Sequence, residues 1–182
     1  MSEDIDDLIP LGYSMSHADA AICEAALAIS PDCLKSRAKL IGYHLQHYHC
    51  CPHTRSRRVE HIKWMIAGRH MNYIRSGYIR VHLVDKDAYE KIKSEFERVV
   101  CTAPNDTQLL IAMASFISHQ EPYRAIELLR HCETLEPSNS HFRELAENIL
   151  ESMPMMLSNI ETYKNEPGTE AAFDKGIKCK SP

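Results

Sequence analysis

The sequence predicts an all-α fold of about seven or eight helices, and three observations support that prediction. Apolar residues recur at helical spacing through most of the 182 residues. Proline or glycine interrupts this spacing at short intervals. The most regular stretch, residues 105–139, contains two such helices joined by a tight turn. Because one amphipathic pair cannot bury both of its sides, we expect antiparallel helix pairs stacked in tandem.

Within residues 105–139, Glu121 and Pro122 separate the two helices, and Pro137 closes the unit. The apolar face of the first helix is Leu109, Met113, Phe116 and Ile117, and that of the second is Ala125, Leu128, Leu129 and Cys132.

The N-terminal part predicts an acidic, loosely ordered lead-in over residues 1–15, followed by three helices. Ser16 is expected to cap the first, which ends at about Ile29. The others are expected over residues 34–48 and 57–67, separated by a break at residues 50–53 and ended near Gly68. The side chains predicted to face inward are Ile22, Ala25, Ala26, Ile29, Leu34, Ala38, Ile41, Leu45, Tyr48, Val59, Ile62, Met65 and Ile66.

Residues 69–86 show no clean helical periodicity. This absence predicts a long connection with a partly extended segment. Asp87 is expected to cap a helix that ends at about Thr102. After residues 105–139, Asn139 or Ser140 is expected to cap a helix that Pro154 interrupts, with a short helix over 155–163. The inward side chains are Tyr89, Ile92, Phe96, Val99, Val100, Phe142, Leu145, Ala146, Ile149 and Leu150.

Length and composition favour one helical domain over residues 16–163 and a flexible tail over residues 164–182. No apolar run reaches the roughly 20 residues that span a bilayer, and the acidic N-terminus does not resemble a signal peptide. Seven scattered cysteines cannot all pair within one chain. The sequence therefore favours a reducing cytoplasm and no membrane.

The basic residues are concentrated in the first half of the chain. Residues 33–84 carry ten Lys or Arg and one Glu, although the net charge of the chain is -4. If these side chains lie on one face, that face favours an acidic protein partner. The candidate contacts, chosen from position and charge, are Arg37, His44, Arg55, Arg57 and Arg58.

The run HLQHYHCCPH groups nitrogen and sulfur atoms that zinc prefers. The metal-ligand candidates are His47, His49, Cys50, Cys51 and His53, and His61 could supply a distant ligand. There is no paired CxxC spacing and no second cluster, so the sequence calls for no cofactor. The competing interpretation is a polar helix end and turn, in which Cys50 or Cys51 is buried.

Two other function classes are weakly supported. No glycine-framed nucleophile, phosphate loop or HExxH motif is present, which favours a non-enzymatic protein. Nucleic acid could use the basic and aromatic side chains, but a pI near 6.2 argues against it. Those side chains are Arg55, Arg57, Arg58, Arg69, Arg75, Arg80, Tyr73 and Tyr78.

The helix pair at 105–139 resembles the tetratricopeptide repeat. With Asp106 as the first position, Phe116 takes the aromatic position, Ala125 the small one and Pro137 the terminal proline. The resemblance implies a right-handed stack whose concave surface binds a peptide, helix or loop. We therefore expect a protein-binding module: an adaptor, or an inhibitor such as a bacterial toxin-neutralising immunity protein. The alternative is a metal- or nucleic-acid-binding protein centred on residues 44–58.

Overall fold

A computed structural model describes residues 7–48, 52–71, 81 and 85–164, with side chains as far as Met153. These residues form eight α-helices and no strand, which confirms the all-α prediction. None of the helices in this part of the chain is both long and apolar enough to cross a membrane. The helices are α1 (Leu8–Tyr13), α2 (His17–Ile29), α3 (Leu34–Gln46), α4 (Pro52–Ala67), α5 (Lys86–Thr102), α6 (Thr107–Ile117), α7 (Pro122–Leu135) and α8 (His141–Lys164).

The chain divides into two compact units, Met1–Glu95 and Phe96–Pro182, and the division falls within α5. The single repeat domain over residues 16–163 and the tetratricopeptide-like stacking remain predictions. Residues 165–182 of the expected tail, and most of the connection expected at 69–86, lie outside the described residues.

In the first unit, α1 crosses α3 at a contact between two glycines. A Cβ atom on Gly12 would lie 2.0 Å from the carbonyl oxygen of Lys39, and one on Gly42 would lie 1.9 Å from that of Ile9. Leu8 and Ile9 are buried beside this crossing. A loosely ordered lead-in was predicted for residues 1–15, and this prediction is wrong for α1. The helix is ordered because its apolar side chains pack where Gly12 and Gly42 allow a close approach to α3.

α2 begins as predicted but turns a different face inward. Ser16 accepts from Asp19 N at 3.2 Å, and Asp19 Oδ2 accepts from Ser16 N at 3.0 Å, which completes a capping box. Ala20 and Leu27 are buried against Leu40 of α3. Ile22, Ala25 and Ile29, all predicted to face inward, are exposed, and Ala26 is half-buried.

α3 and α4 form the rest of the first unit's core. Ala38, Ile41 and Tyr48 are buried as predicted, whereas Leu34 and Leu45 are half-buried. α4 buries the predicted face, namely Val59, Ile62, Met65 and Ile66.

The ends of α4 differ from the prediction in detail. It begins at Pro52 and not at Arg57, since proline suits the first helical position, where its missing N–H is not needed. After Ala67, Arg69 adopts a left-handed φ of 55°. A hydrogen bond of 3.0 Å from His70 N to Met65 O closes this end of the helix.

The second unit is centred on α6 and α7, the two helices predicted from residues 105–139. Asp106 caps α6 by accepting from Leu109 N at 3.1 Å, and Pro122 occupies the first turn of α7. Every predicted inward residue of this pair is buried except Leu128, which is half-buried. Arg124 of α7 bridges Glu121 at 3.0 Å and Glu97 of α5 at 2.8 Å.

Three details around α5 and α8 are corrected. Asp85, not Asp87, caps α5, because its Oδ1 accepts from Ala88 N at 3.1 Å. α8 continues through Pro154 to Lys164, since one proline removes a single hydrogen bond from a long helix. Of the inward residues predicted for these two helices, Val100, Leu145, Ala146 and Ile149 are half-buried and Leu150 is exposed.

The glycine crossing generates the first prediction. Gly42→Ala should lower the free energy of unfolding by about 2 kcal/mol, because the added methyl group meets the Ile9 carbonyl oxygen and the backbone must shift. Alanine's higher helix propensity offsets at most about 1 kcal/mol of this loss. Urea unfolding measures the change. Gly68→Ala is the matched control, since its Cβ meets the movable His70 ring. Equal stability of the two variants would contradict the crossing.

The α6–α7 pair generates the second prediction. Leu129 is 1 % exposed, so Leu129→Asp should lower the free energy of unfolding by about 3 kcal/mol or more, because an unpaired carboxylate enters the core. The exposed neighbour Arg130 provides the control: Arg130→Asp should change the free energy of unfolding by less than about 1 kcal/mol. An unchanged thermal melt for Leu129→Asp would disprove the assigned packing.

Candidate functional site

Three helices of the first unit bring an acid and two histidines together. Glu24 of α2 lies with its Oε1 3.6 Å from Nε2 of His44 in α3 and 3.9 Å from Nε2 of His61 in α4. One oxygen or nitrogen from each residue lies within 4.8 Å of the other two. The two imidazole rings are nearly parallel, with centroids 5.7 Å apart. These separations exceed ordinary hydrogen-bond lengths, so the three groups are adjacent without being bonded.

The two histidines of this cluster are buried and unsatisfied. Their side chains are 8 % and 4 % exposed, whereas that of Glu24 is 28 % exposed. Neither ring nitrogen of His44 nor Nε2 of His61 has a hydrogen-bond partner among the described residues. Buried polar atoms of native proteins are nearly always paired, so three unpaired nitrogens in one place require an explanation.

Burial also fixes the protonation of these histidines. Desolvation, followed by the charge of Arg57, lowers the pKa of His44 to about 4. Desolvation, followed by the neighbouring His44, lowers the pKa of His61 to about 3. Glu24 is close enough to favour the protonated forms, but burial and the nearby cations outweigh it. Both imidazoles are therefore neutral near pH 7.

Two arginines border the cluster. Arg57 Nη2 lies 3.2 Å from Glu24 Oε2. Arg37 donates to the carbonyl oxygen of Pro31 from Nε at 2.9 Å and from Nη2 at 2.7 Å. Its guanidinium also lies over the Trp64 ring, 4.3 Å from the centroid, and its Nη1 is 3.4 Å from His61 Nδ1. Arg37 thus packs between α3 and α4 as much as it faces solvent.

A second set of polar side chains lies around Arg58, which is 1 % exposed. Desolvation lowers its pKa to about 10, so it stays protonated, and Tyr48, Tyr13 and Asp85 partly offset this effect. The Tyr48 hydroxyl donates to Asp85 Oδ2, and burial together with this bond raises its pKa to about 12. Arg58 is therefore a structural cation between α4, the end of α3 and the start of α5.

The outer face of α2 is apolar and uncovered. Ile22 is 67 % exposed and Ile29 is 88 % exposed. Ala18 and Ala25 lie at the intervening helical positions and are also exposed. We call these four residues the outer face of α2. These side chains place one continuous apolar stripe on the surface of the first unit.

The predicted partner contacts therefore divide between surface and interior. Arg55 and Arg57 are exposed, and Arg37 is half-buried. His44 and Arg58 are buried, so neither is available for direct contact in this structure. The charge of Arg58 lies near Tyr48 and Asp85, and the five partner contacts stay a prediction.

Of the predicted metal candidates, the two that the structure describes, His47 and His53, are not part of this cluster. His47 lies beside the rings of Tyr43 and His17, with centroid distances of 4.6 and 5.2 Å. His53 is exposed. His49, Cys50 and Cys51 lie outside the described residues.

Sequence reasoning missed Glu24 and treated His61 only as a distant possibility. One signal was present: Glu24 is the acid that lies between Ala20 and Leu27, four residues after one and three before the other. An acid on that side of an otherwise apolar helix has to meet a polar group of its neighbours. Its partners come from α3 and α4, and only the fold identifies them.

Comparison of the chain with protein-family profiles, with curated proteins and with solved structures gives no match.

The burial of Arg58 generates the third prediction. Arg58→Glu should lower the free energy of unfolding by about 3 kcal/mol or more, because it places an unpaired carboxylate near Asp85 inside the first unit. Arg55→Glu, on the exposed side of the same helix, should change it by less than about 1 kcal/mol. Chemical unfolding followed by circular dichroism compares the two. If the Arg58→Glu variant were as stable as the Arg55→Glu variant, the burial assigned to Arg58 would be wrong.

Proposed function

We propose that this protein is a non-enzymatic binding module that captures a partner protein through the outer face of α2. The observation that carries the proposal is the exposure of Ile22 and Ile29, at 67 % and 88 %, on a helix whose opposite face is packed against α3. Leaving both isoleucines in water has a cost that binding would remove. Full burial of one such side chain contributes about 1.5–3 kcal/mol.

The shape of this face favours a helix as the bound element. Ala18, Ile22, Ala25 and Ile29 follow one another at intervals of four, three and four residues, which forms a straight stripe along α2. Small alanines between the isoleucines let a second backbone approach closely, while the isoleucines fill gaps between its side chains. The partner would therefore present an amphipathic helix with its apolar side towards α2.

Charge adds a second element to the proposal. Arg55 and Arg57 remain exposed cations of the first unit, although Arg57 already pairs with Glu24. An acidic partner surface is the expected complement, and its charge pairs would guide association more than they strengthen it. Tetratricopeptide-like stacking of the helix pairs, and a role as adaptor or as toxin-neutralising inhibitor, belong to the same proposal.

We also propose that the protein is located in the cytoplasm. Within the described residues, Cys23, Cys33 and Cys132 form no disulfide, as expected in a reducing compartment.

The fourth prediction tests the outer face of α2. Tagged full-length protein is used to capture partners from a lysate of its source cells, and Ile22→Glu combined with Ile29→Glu should abolish the capture. With the purified partner, the double variant should bind at least about 30-fold more weakly, as expected when a central contact is lost. Both substituted positions are exposed, so the circular dichroism spectrum should be unchanged.

Tyr123→Glu is the matched control, because Tyr123 is 66 % exposed in the second unit. It should capture the partner as well as the wild type. Normal capture by the double isoleucine variant would remove the outer face of α2 from the proposal. A concentration-dependent dimer that the double variant abolishes would assign this face to a second copy of the chain instead.

A further inference from the structure

We propose that Glu24, His44 and His61 form a binding site for a divalent first-row transition metal, with zinc the best fit. The ligand atoms are Glu24 Oε1 and the Nε2 atoms of the two histidines. This inference goes beyond the proposed function, since the cluster lies on the inner side of α2 and the proposed docking face lies on its outer side.

The distances are close to those that a metal requires. The separations are 3.6 and 3.9 Å from the carboxylate oxygen to the two Nε2 atoms, and one ligand atom from each residue lies within 4.8 Å of the other two. Zinc binds nitrogen and oxygen at about 2.0–2.2 Å, so tetrahedral ligands lie roughly 3.3 Å apart. The three side chains must therefore move together by about 1 Å or less on average, which side-chain rotations supply without moving the helices.

The chemistry of the cluster selects the class of ion. Two neutral imidazoles and one carboxylate suit zinc and its first-row neighbours, whereas calcium and magnesium prefer all-oxygen sites. Metal binding requires the unprotonated form of a histidine nitrogen. Burial of both rings disfavours the charged form and therefore favours the form that binds metal.

A metal would also give a partner to two of the three unpaired nitrogens. Nε2 of His44 and Nε2 of His61 are buried without a hydrogen-bond partner in the described part of the chain, and both lie beside the Glu24 carboxylate. A bound cation would give each a ligand bond. One ring nitrogen of His44, Nδ1, would then carry the proton and remain without a described acceptor.

Two neighbouring cations oppose binding and set its strength. Arg57 shares the Glu24 carboxylate through Oε2. Arg37 Nη1 lies 3.4 Å from His61 Nδ1, and coordination through Nε2 places the imidazole proton on that Nδ1. Because Arg37 already donates twice to Pro31 O, it does not depend on His61 as an acceptor.

Three protein ligands leave a tetrahedral ion one position for water or an anion. Glu24, whose side chain is 28 % exposed, is the ligand that reaches solvent. A bound metal would join α2, α3 and α4 at one point. It would thereby hold α2 in the orientation that keeps Ile22 and Ile29 on the outside.

The fifth prediction is metal binding by the full chain. Protein freed of metal with a chelator is titrated with Co²⁺, whose tetrahedral complexes absorb in the visible range, and then with Zn²⁺ as competitor. We expect one ion per chain, displaced by an equivalent of zinc. Glu24→Gln, His44→Gln and His61→Gln should each weaken binding by about 100-fold or more, beyond the 10- to 100-fold typical of residues outside the first coordination sphere.

Matched controls use the residues that the sequence alone favoured. His47→Gln, His53→Gln and the double variant Cys50→Ser with Cys51→Ser should bind the ion as the wild type does. If the cysteine variant lost the ion while Glu24→Gln kept it, the site would belong to residues 49–53 and the proposal would be wrong. Absence of any visible cobalt band in the wild type would also overturn it.

Two measurements do not depend on the stability of those variants. In the wild type, long-range ¹H–¹⁵N spectra should show Zn²⁺ shifting the ring nitrogens of two histidines, and these should be His44 and His61. His44→Cys should bind Co²⁺ where His44→Gln does not. Its complex should show a near-ultraviolet thiolate-to-cobalt band, because a thiolate replaces the imidazole. Shifts at other histidines, or no thiolate band, would contradict the site. Partner capture is a separate measurement, so either proposal can fail alone.

Discussion

The structure of the first unit depends on the position of one acidic side chain, Glu24. α2 is apolar on nearly every side, and hydrophobic burial alone would accept either of two faces. The Glu24 carboxylate pairs with Arg57 and lies beside His44 and His61, all on one side of the helix. This ion pair favours the observed orientation, in which Ala20 and Leu27 face inward and Ile22 and Ile29 lie in solvent.

Both proposals follow from this orientation. The inner side of α2 contains an incompletely satisfied polar cluster, and the outer side contains an uncovered apolar stripe. The two sides are linked mechanically, because a helix held by Glu24 presents its opposite face in a fixed direction. A metal on the inner side would strengthen this hold without touching the bound partner.

The basic segment illustrates how burial changes the meaning of charge. Ten cations in residues 33–84 favoured a basic surface. In the structure, Arg58 is buried near Tyr48 and Asp85, and Arg37 lies over Trp64 and donates to a backbone carbonyl. These side chains join helices through their guanidinium groups, which suit planar and carbonyl partners. A charge count therefore overstates the surface charge wherever a long side chain can reach an internal acceptor.

Local sequence patterns were enough to predict the helical class, the capping of α2 by Ser16, and the buried faces of α4, α6 and α7. These features depend on residues within a few positions of one another, so local periodicity and capping chemistry are sufficient to predict them. Four other features are visible only once the helices are packed: which face of α2 is inside, the burial of Arg58, the glycine crossing of α1 and α3, and the proximity of Glu24 to His44 and His61. Each of these joins residues distant in the chain, and when two faces of a helix are equally apolar, only the neighbouring helices determine which one is buried.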